Sequence, residues 1–175
     1  MRLLHVVHDF LPRHRAGAEL YAFHLCRALS ARHEVSVLCA ELDLARTHGT
    51  LERRAYGGLT VLELINNWDF PTFADTWRSP LIAARLRQAL EEARPDVVHV
   101  HGLLTLSLEL PAIAASLGVP VVATLHDHSL VCPSGGTRVH AAEEHVCHDV
   151  DPERCARCIP TSALHRQRAL RGVTR

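Results

Sequence analysis

The stretch SPLIAARLRQALEEARPDVVHV, residues 79–100, decides the fold class of this chain. Its first part places apolar residues at helical spacing, after a serine that can cap the helix and a proline that suits its first position. The segment Arg-Pro-Asp at residues 94–96 ends this helix. The apolar run at residues 97–100 follows at once and predicts a buried strand.

Strands and helices continue to alternate on both sides of this stretch. The other predicted elements are strands at residues 3–7, 35–39, 59–65 and 121–125, and helices at residues 18–29 and 105–116. Because strands alternate with helices at this spacing, we predict an α/β domain of three layers around a central parallel sheet, with the strand order 3-2-1-4-5. The segment 41–58 is predicted as a polar excursion that ends in a Gly-Gly turn.

The last third of the chain has a different character. Residues 127–160 show no clear periodicity and contain four of the six cysteines, so we interpret them as an irregular Cys/His-rich loop. Residues 161–171 predict a final short helix. With 175 residues, the chain is long enough for one domain of ordinary size, so we predict a single domain over residues 1–175 that includes this loop.

Composition excludes several classes of partner. Lys+Arg and Asp+Glu both number 19, so the chain lacks the basic surplus that a nucleic-acid-binding surface needs. No stretch approaches the run of about 20 apolar residues that a membrane span requires. The N-terminus has a short apolar core without a small-residue cleavage site, which favours a first strand over a signal peptide. We therefore predict a cytoplasmic protein.

Five of the fourteen histidines follow or end predicted strands: His8, His99, His101, His126 and His128. In open parallel sheets the ligand crevice lies outside the carboxyl ends of the strands. We therefore expect these five side chains to converge on one site, with a hydrogen-bonded structural role as the alternative for each.

The segment Ala16-Gly17-Ala18-Glu19 opens the first predicted helix directly after the loop that leaves the first strand. Small residues here let the backbone approach a ligand, and the amides of a helix N-terminus favour an anion such as a diphosphate. The fingerprint G-x-G-x-x-G is absent. By spacing alone, a tight turn that needs Gly17 is the better explanation.

Three segments together resemble the N-terminal domain of a family 4 glycosyltransferase of the GT-B type. The first is Ala16-Gly17-Ala18-Glu19 followed by residues 25–37, the second is PDVVHVHG at residues 95–102, and the third is GVPVVATLHD at residues 118–127. Their order and spacing span most of residues 1–130. The chain departs from the family pattern at Ala16 and Arg32, where the family usually has glycine.

The resemblance implies a Rossmann-like domain on the acceptor side of a two-domain enzyme, with the C-terminal donor-binding domain absent from these 175 residues. The site residues that it implies are catalytic His126, donor-diphosphate-binding Gly17 and Ala18, and acceptor-binding His101 and Asp127. The implied reaction moves a hexose from a nucleotide sugar to a glycan or lipid-linked acceptor. Peripheral binding at the inner membrane face would be compatible with such an acceptor.

Two other functions stay open beside the N-terminal half of an enzyme. One is a subunit of a split glycosyltransferase that works only with a separate donor-binding chain. The other is a non-enzymatic interaction module, in which the sheet is a scaffold and zinc stabilises the Cys/His-rich loop.

The loop at residues 66–80 is polar apart from four aromatic residues: Trp68, Phe70, Phe73 and Trp77. These rings can form a platform for the acceptor, with Trp68 as the candidate binding residue. Local packing of the loop explains them equally well.

Four cysteines, Cys132, Cys147, Cys155 and Cys158, have a spacing that ends in a C-x-x-C pair in a predicted loop. Four thiolates can close a tetrahedral structural zinc site, and an irregular loop of about 30 residues favours such a cross-link. Unligated thiols or disulfides formed after purification are the alternatives, and substitute ligands are available at His140, His145 and His148. Cys26 and Cys39 are interpreted as small buried hydrophobes.

Overall fold

The structure is a computed structural model that describes residues 1–72, 74–132, 134–140 and 142–158. It contains two compact units, Met1–Thr124 and a second unit that begins at Leu125. The predicted helix at residues 161–171 and the aromatic Phe73 lie outside the described residues.

The first unit is an α/β sandwich built on a six-stranded sheet. Its elements are β1 (Arg2–Val7), α1 (Gly17–Leu29), β2 (Glu34–Glu41), β3 (Leu51–Tyr56), β4 (Leu59–Ile65), a 3-10 turn (Ala74–Thr76), α2 (Pro80–Ala93), β5 (Val97–Val100), α3 (Leu110–Ser116) and β6 (Val121–Ala123). The sheet order is β3-β4-β2-β1-β5-β6, and every neighbouring pair is parallel except β3 and β4. The predicted fold class and the order of the five predicted strands are confirmed.

Both faces of the sheet are buried, as a three-layer fold requires. On one face, Val7 of β1 and Val37 of β2 pack in a cluster with Cys26 of α1. On the opposite face, Leu4 and Val6 of β1 are also fully buried. Side chains of a strand alternate between the faces, so this pattern explains why β1 is almost uninterruptedly apolar.

Helix α2 has the predicted bounds because its ends are encoded locally. The Ser79 hydroxyl accepts a hydrogen bond from the Ile82 amide at 3.5 Å, and Pro80 occupies the first turn. At the other end, Arg94 adopts a left-handed conformation with φ 43°, and its amide donates to the Leu90 carbonyl.

Residues 51–56 correct the prediction of a polar excursion at residues 41–58. They form the antiparallel edge strand β3, which pairs with β4 through a two-residue Gly57-Gly58 turn. Both glycines have positive φ, 56° and 80°, as a tight hairpin turn requires. The sequence does not indicate β3 because its residues are mostly polar, as those of an edge strand that exposes much of its surface to water can be.

Helix α3 and strand β6 are shorter than predicted. Helix α3 begins at Leu110 and not at residue 105, where the φ of Thr105, 66°, is incompatible with a right-handed helix. Pro111 then lies in the first turn, where its missing amide costs no helical hydrogen bond. Strand β6 ends at Ala123, two residues before its predicted end.

The second unit contains a two-stranded hairpin of β7 (Val139–His140) and β8 (His145–Val146), followed by α4 (Pro152–Cys158). The Asp151 side chain caps α4, accepting hydrogen bonds from the Glu153 and Arg154 amides at 3.0 and 3.1 Å. The C-x-x-C pair therefore lies on a helix and not in a loop, which corrects the sequence prediction. Asp-Pro at residues 151–152 is the local start signal for that helix.

Within the described part of the chain, no helix is both long enough and apolar enough to cross a membrane.

Candidate functional site

The N-terminus of α1 leaves its first glycine in open space. A Cβ atom placed on Gly17 would meet no atom within 4 Å, and the φ of this residue lies outside the left-handed region. Neither backbone conformation nor crowding therefore requires glycine, so the tight-turn explanation loses its support. No side chain caps this first turn among the described residues, because the residue before it is Ala16. Open space beside uncapped amides is suited to an anionic ligand.

Glu19, in the same turn, is buried against a histidine. The side chain is 2% exposed, and its Oε1 lies 3.2 Å from His8 Nε2. Its second oxygen, Oε2, is buried without a hydrogen-bond partner in the described residues. Gly102 makes room for this pair, because a Cβ there would lie 2.8 Å from His8 Nδ1. From the sequence alone, Glu19 is only an acidic residue whose charge suits the N-terminus of a helix. Burying a carboxylate is costly, so its burial beside His8 is the observation that makes Glu19 part of the candidate site.

Asp9 lies beside the same histidine, with its Oδ2 3.9 Å from His8 Nε2. Burial raises the pKa of Asp9, the charges of His8 and His14 act to lower it, and Glu19 raises it further. His8, Asp9 and Glu19 bring one ligand atom each within 4.8 Å of one another.

The loop that carries these residues is held by a network of arginines and carboxylates. Arg13 in the loop contacts Glu63 of β4 and Glu41 of β2, and Arg54 of β3 donates to Glu63 at 2.6 Å. Burial alone would raise the pKa of Glu63, but hydrogen bonds and charge from Arg54 and Arg13 lower it. Arg54 also donates to the carbonyl of Leu11 at 2.8 Å. These contacts fix the path of the chain between β1 and α1.

A second group consists of three histidines on adjacent parallel strands. His5 of β1 is the register partner of His99 of β5, and their rings lie 5.0 Å apart. His101 follows β5, and its ring centroid lies 5.3 Å from His5 and 4.2 Å from His99. The Nδ1 of His5 and the Nε2 of His101 share a hydrogen bond of 3.0 Å, and His99 Nε2 lies 2.8 Å from the Thr124 hydroxyl.

His5 is a neutral imidazole at physiological pH. Burial, and then the charge of His99, lower the pKa of His5 to about 4. Its Nε2 is buried and lacks a hydrogen-bond partner among the described residues. His5 and His101 are 1% and 4% exposed. His5 therefore contributes a neutral ring to the cluster.

Of the five histidines predicted to converge, His99 and His101 lie together. They cluster with His5, which is not among the five because it lies inside a strand and not at its end. His8 lies against Glu19 instead. The signal for His5 is a polar residue inside an otherwise apolar buried strand. His126 and His128 belong to the second unit, so their part in the convergence stays a prediction.

The aromatic residues of the loop at 66–80 pack partly on each other. Trp68 and Phe70 are both 9% exposed, and their rings meet edge to face at 5.8 Å. Trp77 is more exposed. Local packing, one of the two alternatives for this loop, is therefore present, and acceptor binding by Trp68 stays a prediction.

His126 and Asp127 open the second unit, and both side chains are exposed. The Asp127 carboxylate accepts a hydrogen bond from the Ser129 amide at 2.8 Å. Gly136 packs against this turn, because a Cβ there would lie 2.9 Å from the Ser129 nitrogen. Local contacts thus shape the turn that carries His126 and Asp127.

The four cysteines of the second unit line one small cavity of about 20 Å³, together with His140. All six cysteines of the chain are reduced. Cys26 and Cys39 are buried in the first unit, where burial raises the pKa of each thiol to about 12, which agrees with their interpretation as small hydrophobes.

Comparisons with known proteins agree with this architecture. The model of Glycosyltransferase Family 4 matches residues 15–173. Among solved structures, sucrose-phosphate synthase from Thermosynechococcus elongatus is similar with a TM-score of 0.53 and 11% identity, over 90% of this chain and 39% of that one. The catalytic domain of starch synthase IV from Arabidopsis thaliana, solved with ADP and acarbose, has a TM-score of 0.49 and 16% identity, over 87% of this chain and 39% of that one. Among curated protein sequences there is no significant match.

Proposed function

The chain belongs to glycosyltransferase family 4, and on that premise we propose that its first unit is the acceptor-side half of a nucleotide-sugar-dependent transferase. The proposed reaction moves a hexose to a hydroxyl group of a glycan or lipid-linked acceptor. The observation that carries the proposal is the open backbone at Gly17, at an uncapped helix N-terminus beside the carboxyl end of β1.

The first turn of α1 is suited to the diphosphate of the donor. Helix α1 has 13 residues, and no side chain caps the amides of Gly17 and Ala18 in its first turn. A negative charge at such a position gains about 0.3–1 kcal/mol from the helix dipole, and more when it is partly buried. Because the diphosphate is the leaving group, amides that stabilise its growing charge also lower the barrier to transfer.

The His8–Glu19 pair sets the charge beside that position. Glu19 is a buried carboxylate within the same helical turn as Gly17, and alone it would repel a diphosphate. His8 Nε2 lies 3.2 Å from Glu19 Oε1, close enough to contact one oxygen of the carboxylate. We assign this pair a positioning role for the loop between β1 and α1.

We base the other proposed roles on family membership and on position along the chain. His126 and Asp127 come shortly after the last strand of the sheet, which ends at Ala123, and both side chains are exposed. We propose that His126 stabilises the reacting sugar and that Asp127 contacts the acceptor. His101 would line the acceptor side through the edge of its ring, since the rest of the ring packs on His5 and His99.

The proposed enzyme also needs a donor-binding domain. The chain spans 39% of the length of each of the two solved structures described above. The donor domain would be supplied by the same polypeptide or by a partner subunit. Under this proposal both the hexose donor and the acceptor bind productively only when the two domains face each other.

A size series at Gly17 tests the proposal in the complete enzyme. The series is Gly17→Ala, Gly17→Val and Gly17→Leu, and Gly17→Ala should leave the melting temperature nearly unchanged, because a Cβ atom there meets no atom within 4 Å. Transfer should fall with side-chain size, by about a hundredfold or more for leucine, because the side chain fills the diphosphate position. Ala31→Leu, an exposed change beyond the other end of α1, is the control that should not alter transfer. Full activity of Gly17→Leu would reject the diphosphate position.

A further inference from the structure

We propose that Cys132, Cys147, Cys155 and Cys158 bind one structural zinc ion that cross-links the second unit. The four residues come from three separate segments of this unit, yet all of them line the same cavity. No disulfide joins any two of the six cysteines, all of which are described. Zinc is the ion that four thiolates favour, and a site closed by four protein ligands has no open position for catalysis.

The C-x-x-C pair has the right placement for two ligands. Cys155 and Cys158 lie three residues apart on α4, so their side chains project from one face of the helix. The Asp151 cap fixes where this helix begins and thus which face the two thiols share.

The other two cysteines are tied together through one backbone residue. The amide of Arg138 donates to the Sγ of Cys132 at 3.4 Å, and the carbonyl of Arg138 accepts from the Cys147 amide at 2.8 Å. An amide that donates to sulfur orients the side chain that carries the sulfur. The backbone of Arg138 therefore contacts both cysteines and holds the segment of Cys132 close to the segment of Cys147.

Two buried donors in the cavity wall make no hydrogen bond of normal length in the described residues. They are His140 Nε2 and Arg154 Nε, each of which lies 3.6 Å from a carboxylate oxygen of Glu143, and both residues line the cysteine cavity. Buried donors that stay unpaired are costly, and neutral thiols are weak acceptors. Thiolates gathered around a metal ion are stronger acceptors than thiols, so zinc binding would add acceptors beside Glu143 in the same wall.

The same contacts decide which residues are ligands. The Glu143 amide donates to His140 Nδ1 at 3.2 Å, so the proton of a neutral His140 ring lies on Nε2. That nitrogen then has no lone pair for a metal, and His140 serves as a donor beside the sulfurs, not as a substitute ligand. Four thiolates around one zinc ion carry two excess negative charges, which Arg138 and Arg154 in the same wall offset.

The size of the cavity fits one ion, and the sulfurs must close around it. A cavity of about 20 Å³ holds a single water-sized body. The groups of three or more donors that lie within 4.8 Å of one another are His5/His99/His101 and His8/Asp9/Glu19, and the described cysteines do not form such a group. In a tetrahedral site with zinc–sulfur bonds of about 2.3 Å, the sulfurs lie closer together than this. Zinc binding would therefore draw the four sulfurs closer together.

Metal analysis of the chain, purified without chelators, tests the site. We expect about one zinc per chain, and Cys155→Ser should lose most of it because the C-x-x-C pair is broken. Cys26→Ala removes a buried thiol of the first unit and should keep the zinc content of the wild type. As a second measurement, titration of the metal-stripped wild type with Co²⁺ should give the intense thiolate charge-transfer absorption of a tetrahedral sulfur site.

Three results would overturn the site. One is a folded wild-type chain without zinc, whose thiols react with an alkylating reagent or are paired in disulfides. Another is zinc that Cys155→Ser retains in full. A third is Co²⁺ bound without thiolate absorption, which would place the metal at one of the two histidine-containing groups of the first unit.

Discussion

His5 Nδ1 and His101 Nε2 lie 3.0 Å apart, so two buried rings, one from β1 and one from the residue after β5, share a hydrogen bond. One nitrogen must donate and the other accept, so the two rings cannot both be doubly protonated. The low pKa of His5, about 4, is compatible with this arrangement.

The stability of the first unit should therefore depend on pH through His5. Its pKa falls from 6.5 to about 4 on folding, so the unfolded chain binds more protons between these values. The contribution of neutral His5 is complete above pH 6.5 and is lost as the pH falls. The loss relative to high pH should be about 2 kcal/mol at pH 5 and about 3 kcal/mol below pH 4.

Urea unfolding of the wild type and His5→Leu at pH 7.5 and pH 5 measures this loss. The variant should show a weaker pH dependence than the wild type, whatever its absolute stability. His24→Gln, a change of an exposed histidine on α1, should keep the pH dependence of the wild type. Equal pH slopes for wild type and His5→Leu would show that His5 does not titrate in this range.

In the complete enzyme, His126→Ala should reduce turnover by about a hundredfold or more and change the melting temperature little. The side chain is exposed, so its removal opens no cavity in the described core. His24→Ala, a change of an exposed histidine on α1 without a proposed role, is the control. Steady-state kinetics of both variants decide the matter, and a lowered melting temperature with normal turnover would give His126 a structural role.

The 175-residue chain alone should transfer no sugar and should bind nucleotide sugars weakly. The proposed donor contacts from this chain are limited to the first turn of α1, and most of the donor's contacts would come from a second domain. Calorimetry with uridine and guanosine diphosphate sugars measures the affinity. Micromolar binding by the chain alone would show that it contains the main donor site.

Arg94→Gly should stabilise the first unit by about 0.5–1 kcal/mol. Arg94 has φ 43° at the end of α2, and glycine adopts this left-handed conformation without the strain of a Cβ atom. Glu91→Gly, an exposed position still inside the helix, should instead destabilise by a similar amount. Thermal unfolding of both variants provides the comparison, and a lower melting temperature for Arg94→Gly would contradict it.

Elements with local signals could be predicted from the sequence, and elements without them could not. Helix α2 has its predicted bounds because Ser79 and Pro80 mark its start and Pro95 lies just beyond its end. Strand β3 escaped prediction because its polar side chains are compatible with both an exposed edge and a loop. The start of α3 depended on the backbone of Thr105, which apolar periodicity does not report.

The sequence by itself determined the α/β class, the order of the five main strands, the strand-end positions of the histidines and the spacing of the cysteines. Only the tertiary structure decided that His5 joins His99 and His101, that Glu19 is buried against His8, and that a Cβ atom at Gly17 would meet open space. The spacing of apolar residues along the sequence indicates which face of a helix or strand is buried, because residues on one face recur at a fixed interval. The hydrogen bond between His5 and His101 joins residues that are 96 positions apart in the sequence. It forms because β1 and β5 are neighbouring strands in the sheet, paired so that His5 lies opposite His99. Only the packing of the whole unit brings these two strands together.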